Sequence, residues 1–155
     1  DYPEVKDSLW TLPPSMPPGL TLMEINTVNR SQIENSLISS EKDADAQKII
    51  SQIRSLIPSR LTGAKYVDDN RHEWAATTFE YDSTFQAWRN WMLARVWLGL
   101  AGARTTSVRD VSGLYVTQEG ISLLVFQKGP YIIALTGPKA ATSERLVGLG
   151  NLFQV

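Results

Sequence analysis

The chain has 155 residues, 43% apolar and 20% charged, with 15 Lys and Arg against 16 Asp and Glu. That is the composition of one globular domain, long enough to bury a core without metal or disulfide. Its formal net charge of −1 argues against a general nucleic-acid binder. Cysteine is absent and His72 is the only histidine, which excludes zinc-thiolate sites, thiol catalysis, disulfide frameworks and any histidine-rich metal cage built by this chain alone. No metal and no cofactor is expected.

The numbering starts at Asp1 without an initiator methionine, so the sequence reads as a processed mature chain or a trimmed one, with an upstream signal or membrane anchor compatible with either. The longest nearly apolar stretch, residues 88–103, is interrupted by Arg89, Asn90 and Arg95 and falls short of the ~20 clean residues a bilayer crossing needs. No transmembrane span is expected. Five prolines, Pro3, Pro13, Pro14, Pro17 and Pro18, fall at the start of the chain. Proline fixes an extended backbone there, so residues 1–19 are expected to be a leader or tether and residues 20–155 a single domain. Alternatively the leader packs on its own domain through Leu9 and Trp10.

Leu20, Leu22 and Glu24 alternate with Thr21 and Met23, which predicts a short strand over 20–25. Asn29-Arg30-Ser31 matches a glycosylation acceptor. Ile49, Ile50, Ile53, Leu56 and Ile57 recur at three- and four-residue spacing behind the acidic opening Asp43 and Asp45, so an amphipathic helix is predicted over 43–57, ending at Pro58. Lys65 to Val67 and Glu73 to Tyr81 predict a hairpin closed by the polar run Asp68 to His72. Asp82, Ser83 and Thr84 then offer cap chemistry for a helix from Phe85 to about Leu100, with Gly102 as its stop. Beyond it, Ser107 to Val111, Leu114 to Thr117, Ile121 to Phe126 and Tyr131 to Thr136 read as strands broken at Gly113, Gly120 and Gly129-Pro130. Those turns are too short for crossover helices, so the strands are predicted to form an antiparallel meander. A last helix starts near Thr142 and carries Leu146, Leu149, Leu152 and Phe153 on one side. The fold class is therefore α+β: an antiparallel sheet with a meander, packed by an apolar Trp-rich helix, a preceding amphipathic helix and a C-terminal helix.

The order of hairpin, long helix, meander and terminal helix, with the turn Val125-Phe126-Gln127-Lys128-Gly129-Pro130-Tyr131-Ile132-Ile133, resembles small bacterial extracytoplasmic α+β accessory domains, many of unknown function. The resemblance covers residues 65–155. It implies a secreted or membrane-tethered accessory role and carries no catalytic motif.

The most unusual segment is the predicted helix at 85–100, where Trp88, Trp91, Met92, Leu93, Val96, Trp97, Leu98 and Leu100 leave little polar surface beyond Arg89, Asn90 and Arg95. A helix that is apolar on most sides must bury the remainder against a second element, a partner or lipid. At about 3.6 residues per turn, Trp97 lies ~180° from Trp88 and ~120° from Trp91, so one stripe cannot hold all three. Trp88 is expected to share the core stripe with Phe85, Met92 and Val96. Trp97, with Leu93 and Leu100, then meets a second layer: either the helix at 43–57, making this the central core helix, or a protein partner. Tryptophan and arginine together are the residue types of interface hot spots, so Trp91, Trp97, Leu93, Leu100 and Arg95 are the candidate contact residues.

Charge changes sign along the chain. Residues 61–82 hold two basic against five acidic residues, and residues 83–140 six basic against two acidic; such asymmetry orients a domain on a partner or merely solvates its surface. Catalytic constellations are poor. His72 beside Glu73, with Asp68 and Asp69, offers a base and an orienting carboxylate, but all four lie in or beside a turn. No phosphate-cradling glycine loop, no Gly-x-Ser-x-Gly elbow and no basic-aromatic RNA signature is present. The reading is a non-enzymatic binding or accessory domain of an extracytoplasmic assembly with a protein partner. The alternative is a small-molecule carrier or unrecognised enzyme with a pocket between the sheet and the Trp-rich helix, Arg95 among its polar groups.

Overall fold

A computed structural model describes residues 19–40, 42–52 and 56–151. In chain order these form β1 (Leu20–Asn29), α1 (Arg30–Ser40), α2 (Ala44–Gln52), β2 (Arg60–Asp68), β3 (Glu73–Glu80), α3 (Thr84–Leu100), β4 (Arg104–Val108), β5 (Val111–Gln118), β6 (Ile121–Lys128), β7 (Tyr131–Pro138) and α4 (Ser143–Gly150). The seven strands make one sheet in the order β1-β2-β3-β7-β6-β5-β4, and every neighbouring pair is antiparallel. The α+β class and the meander are as the sequence predicts. The leader and the tail carrying Leu152 and Phe153 lie outside the described residues.

This order explains the position of α3. The chain leaves β3 in the middle of the sheet and re-enters at the far edge as β4, so α3 must carry it across β7, β6 and β5. The meander then returns strand by strand until β7 pairs with β3, Phe79 opposite Ile132 and Ala75 opposite Thr136. Period-two alternation splits the core into two layers. Leu124, Phe126, Ile133 and Leu135 point to one face, where Leu146 and Leu149 of α4 cover them. Leu123, Val125, Ile132 and Ala134 point to the other, where α3 covers them.

The turns are chemically specified. Glu119 and Gly120 both take positive φ, 51° and 80°, the two-residue turn whose twist suits a hairpin. The β4–β5 turn is Arg109-Asp110, with Arg109 at φ 55°, rather than the predicted break at Gly113. Gly113 lies inside β5, paired with Thr106 and Phe126, where a Cβ would come within 3.1 Å of the Val125 carbonyl oxygen and 3.3 Å of both the Leu124 and Val108 side chains.

Two further expectations are corrected at the N-terminal side. The strand predicted over 20–25 runs on to Asn29, with a register shift between Leu22 and Glu24 that leaves Met23 exposed. Asn29 is followed by a helix, α1, that takes in Arg30 and Ser31 and is not predicted from the sequence. Its start is a reciprocal cap: the Gln32 amide donates to Asn29 Oδ1 at 2.9 Å and the Asn29 amide to Gln32 Oε1 at 2.8 Å. Of the predicted helix at 43–57, the described part is α2 over Ala44–Gln52; residues 53–55 lie outside the described residues, and Ile57 is buried while Ile49 is exposed. α2 packs on α1, and α3 packs on β5, β6 and β7.

Candidate binding surface on the tryptophan-rich helix

Ser83 caps α3, its hydroxyl accepting from the Gln86 amide at 3.1 Å, and the end is closed at Gly102, φ 87°, with the Ala103 amide donating to the Leu98 carbonyl at 3.0 Å. Between these caps the helix faces the sheet with Ala87 and Trp91, which are buried, and with the partly buried Ala94 and Leu98. Those four positions lie within about 60° of arc around the helix. Most of the side opposite them is solvent-facing, and most of that is apolar.

The exposed set is Phe85, Trp88, Leu93, Val96, Trp97 and Leu100. Trp97 is 73% and Leu100 78% exposed. The expected core stripe of Trp88 with Phe85, Met92 and Val96 is therefore in the wrong phase. The stripe that packs is built on two alanines, whose small side chains let the helix approach the sheet, and Met92 is its only shared member, at the margin. Among the described residues no second layer covers Leu93, Trp97 and Leu100, which are exposed.

Of the candidate contact residues, Trp97, Leu93, Leu100 and Arg95 are on the exposed side. Trp91 is not: at 7% exposure it is turned into the chain's own core between Leu114, Val125 and Ile132, so it is no surface residue. Phe85, Trp88 and Val96 belong to the surface in its place. The rings of Phe85 and Trp88 sit 6.0 Å apart and tilted by 30°, a mutually supporting aromatic pair. Arg89, on the same side, has its Nε and Nη2 buried without a hydrogen-bond partner among the described residues. A guanidinium so placed lacks a carboxylate or carbonyl.

Beside α3 runs an open groove of about 370 Å³. Phe79, Leu123, Val125, Ile132 and Ala134 floor it, Ala94 and Leu98 form the helix wall, and Trp97 stands at its lip, with Tyr81 and Asn90 also lining it. Arg95, the polar group expected for such a pocket, is not among the lining residues.

The hairpin tip between β2 and β3 is a turn lock, not an acid–base pair. Asp68 accepts from the Trp74 indole at 3.0 Å and from the backbone amides of Asn70 and His72 at 2.9 Å each, with His72 Nδ1 3.6 Å away. The Trp74 indole, followed by the two backbone amides and the nearby His72, holds the Asp68 carboxyl below its usual range. Among the described residues no group of three or more His, Asp and Glu gathers as a metal site, and no helix is long and apolar enough to cross a membrane.

No protein-family model and no curated protein matches the chain. Its architecture is similar to that of a solved structure, the extracellular domain of PknH from Mycobacterium tuberculosis, with a TM-score of 0.52 over 86% of this chain and 83% of that one. The sequence identity is 10%, so the likeness is one of fold.

Proposed function

We propose that this chain is a non-enzymatic binding or accessory domain of an extracytoplasmic assembly, and that a protein partner docks on the outer face of α3. One observation carries the reading: six large apolar side chains on one helix face the solvent while Ala87 and Trp91 on its other side pack on the sheet. Contiguous exposed apolar surface rimmed by polar groups marks interaction sites. Tryptophan and arginine in its midst are the anchors that carry most interface energy.

The helix also states what its partner should look like. Arg89 and Arg95 are its only charges, and it has no acidic residue. The complementary surface is an apolar groove or ridge with carboxylates at its margin, one of them placed to reach the exposed Arg95 guanidinium. The fold shared with an extracellular domain of a bacterial protein supports the extracytoplasmic setting.

The test is site-specific photo-crosslinking in the native host, with a photoreactive amino acid at Val96 and, as control, at Glu144 on α4. The reading expects a discrete adduct from position 96, identified by mass spectrometry as one other protein, and none from 144. No adduct from 96, or adducts with lipid or with this chain alone, contradicts it.

A further inference from the structure

The groove between α3 and the sheet is a different feature from the outer face of the helix. Two of its lining positions, Ala94 on α3 and Ala134 on β7, are small, and longer side chains there would narrow it. The floor and wall are otherwise Phe79, Leu98, Leu123, Val125 and Ile132, and its volume of about 370 Å³ falls in the range of small-molecule sites, roughly 300 to 1,000 Å³.

Two polar groups line it, and both have unused capacity. The Tyr81 phenol makes no hydrogen bond among the described residues, and burial pushes its pKa up, so at neutral pH it is a protonated donor. Asn90 spends its Nδ2 on the Gln86 carbonyl at 2.9 Å, which leaves Oδ1 as an acceptor. Tyr81 ends the segment before α3 and Asn90 lies in its first half, so both belong to the end of the groove where the helix begins. Among the described residues no Lys, Arg, His, Asp or Glu lines the groove. An ionic ligand there would lose its water without gaining a counter-charge.

We propose that this groove binds a neutral, largely apolar small molecule carrying one hydroxyl or amide group, with the apolar body on Val125, Ile132 and Leu98 and the polar group between Tyr81 and Asn90. The ligand accepts from the Tyr81 phenol and donates to Asn90 Oδ1. Trp97 closes over its exposed side.

The probe is N-phenylnaphthylamine, a neutral apolar fluorophore with one N–H donor, titrated into the full chain and compared with its anionic relative anilinonaphthalene sulfonate. Saturable binding of the neutral probe, one per chain and tighter than the anionic one, is expected. Ala94→Phe, which fills the groove, is expected to weaken it by about tenfold or more, and Asn90→Leu by about fivefold through loss of the acceptor for the probe's N–H. Val96→Ser on the outer face is expected to leave it unchanged. Because Ala94→Phe could disturb packing, amide chemical shifts of the unsubstituted chain provide the second reading: they are expected to move at Phe79, Ala94, Val125 and Ala134 and not at Phe85, Val96 or Leu100. Non-saturable binding, preference for the anionic probe, or shifts confined to the outer face would overturn the proposal. Since Val96 and Ala94 report on different surfaces, failure here leaves the partner site standing, and the reverse.

Discussion

Trp91 and Trp97 belong to one helix yet sit in opposite environments: Trp91 is 7% exposed under the sheet, and Trp97 is 73% exposed at the lip of the groove. Six residues of helix separate them, which at about 100° per residue turns one roughly 120° from the other. The same residue type is thus used once for cohesion and once for contact.

Trp91→Ala is expected to destabilise the domain by about 3–5 kcal/mol, since it removes the largest side chain from the layer between α3 and the sheet and leaves a cavity against Leu114, Val125 and Ile132. Denaturant unfolding followed by circular dichroism measures this. A loss below about 1 kcal/mol would mean that the helix is not held by this side chain.

Gly137 in β7 is a close-approach position. A Cβ there would meet the Trp74 ring at 2.7 and 2.8 Å and the Ala141 Cβ at 3.0 Å. Trp74 cannot swing away freely, because its indole donates to Asp68 and the Arg145 guanidinium lies 4.6 Å from its ring centroid. Gly137→Ala is therefore expected to cost about 1–3 kcal/mol of stability. Gly63→Ala, with no atom within 4 Å of the added methyl, is expected to be neutral or stabilising by up to about 1 kcal/mol. Comparing the two midpoints separates steric approach from backbone freedom.

The Asp68 lock makes a pH-dependent contribution. Its folded-state pKa is lowered by the Trp74 indole first and the turn amides next, so the stabilisation is present above the ordinary aspartate value of about 3.9 and is lost as pH falls through the lowered one. Asp68→Ala is expected to unfold at a lower denaturant concentration than the parent at about pH 7, with the gap narrowing towards about pH 2. A gap that is constant over that range would show that the carboxylate charge contributes nothing.

Much of this molecule is legible in its residues. Leu123 to Phe126 and Ile132 to Leu135 are continuous apolar runs because both faces of the sheet are covered, by α3 and α4, and their short turns dictate the meander. The phase of α3 is not legible by the same means. A helix apolar all round has no dominant stripe, so period alone does not orient it, and the aromatic residues draw attention away from Ala87 and Ala94, which mark the contact. The missed helix α1 had a signal in Asn29 and Gln32, the two halves of a reciprocal cap. The groove is legible only as a pocket between the sheet and this helix; its lining is not, because Phe79, Leu123 and Ala134 meet Ala94 and Leu98 on elements that are adjacent only after folding.

Trp97→Ala tests the central claim most directly when two quantities are measured on the same protein: unfolding free energy, and affinity for the partner captured at position 96. The account predicts a weakening of association by about 2 kcal/mol or more, as for hot-spot truncation, with stability changed by less than about 0.5 kcal/mol, as for an exposed site. A domain destabilised by ~3–5 kcal/mol, the cost of truncating a core tryptophan, or one that binds its partner as tightly as before, would contradict it.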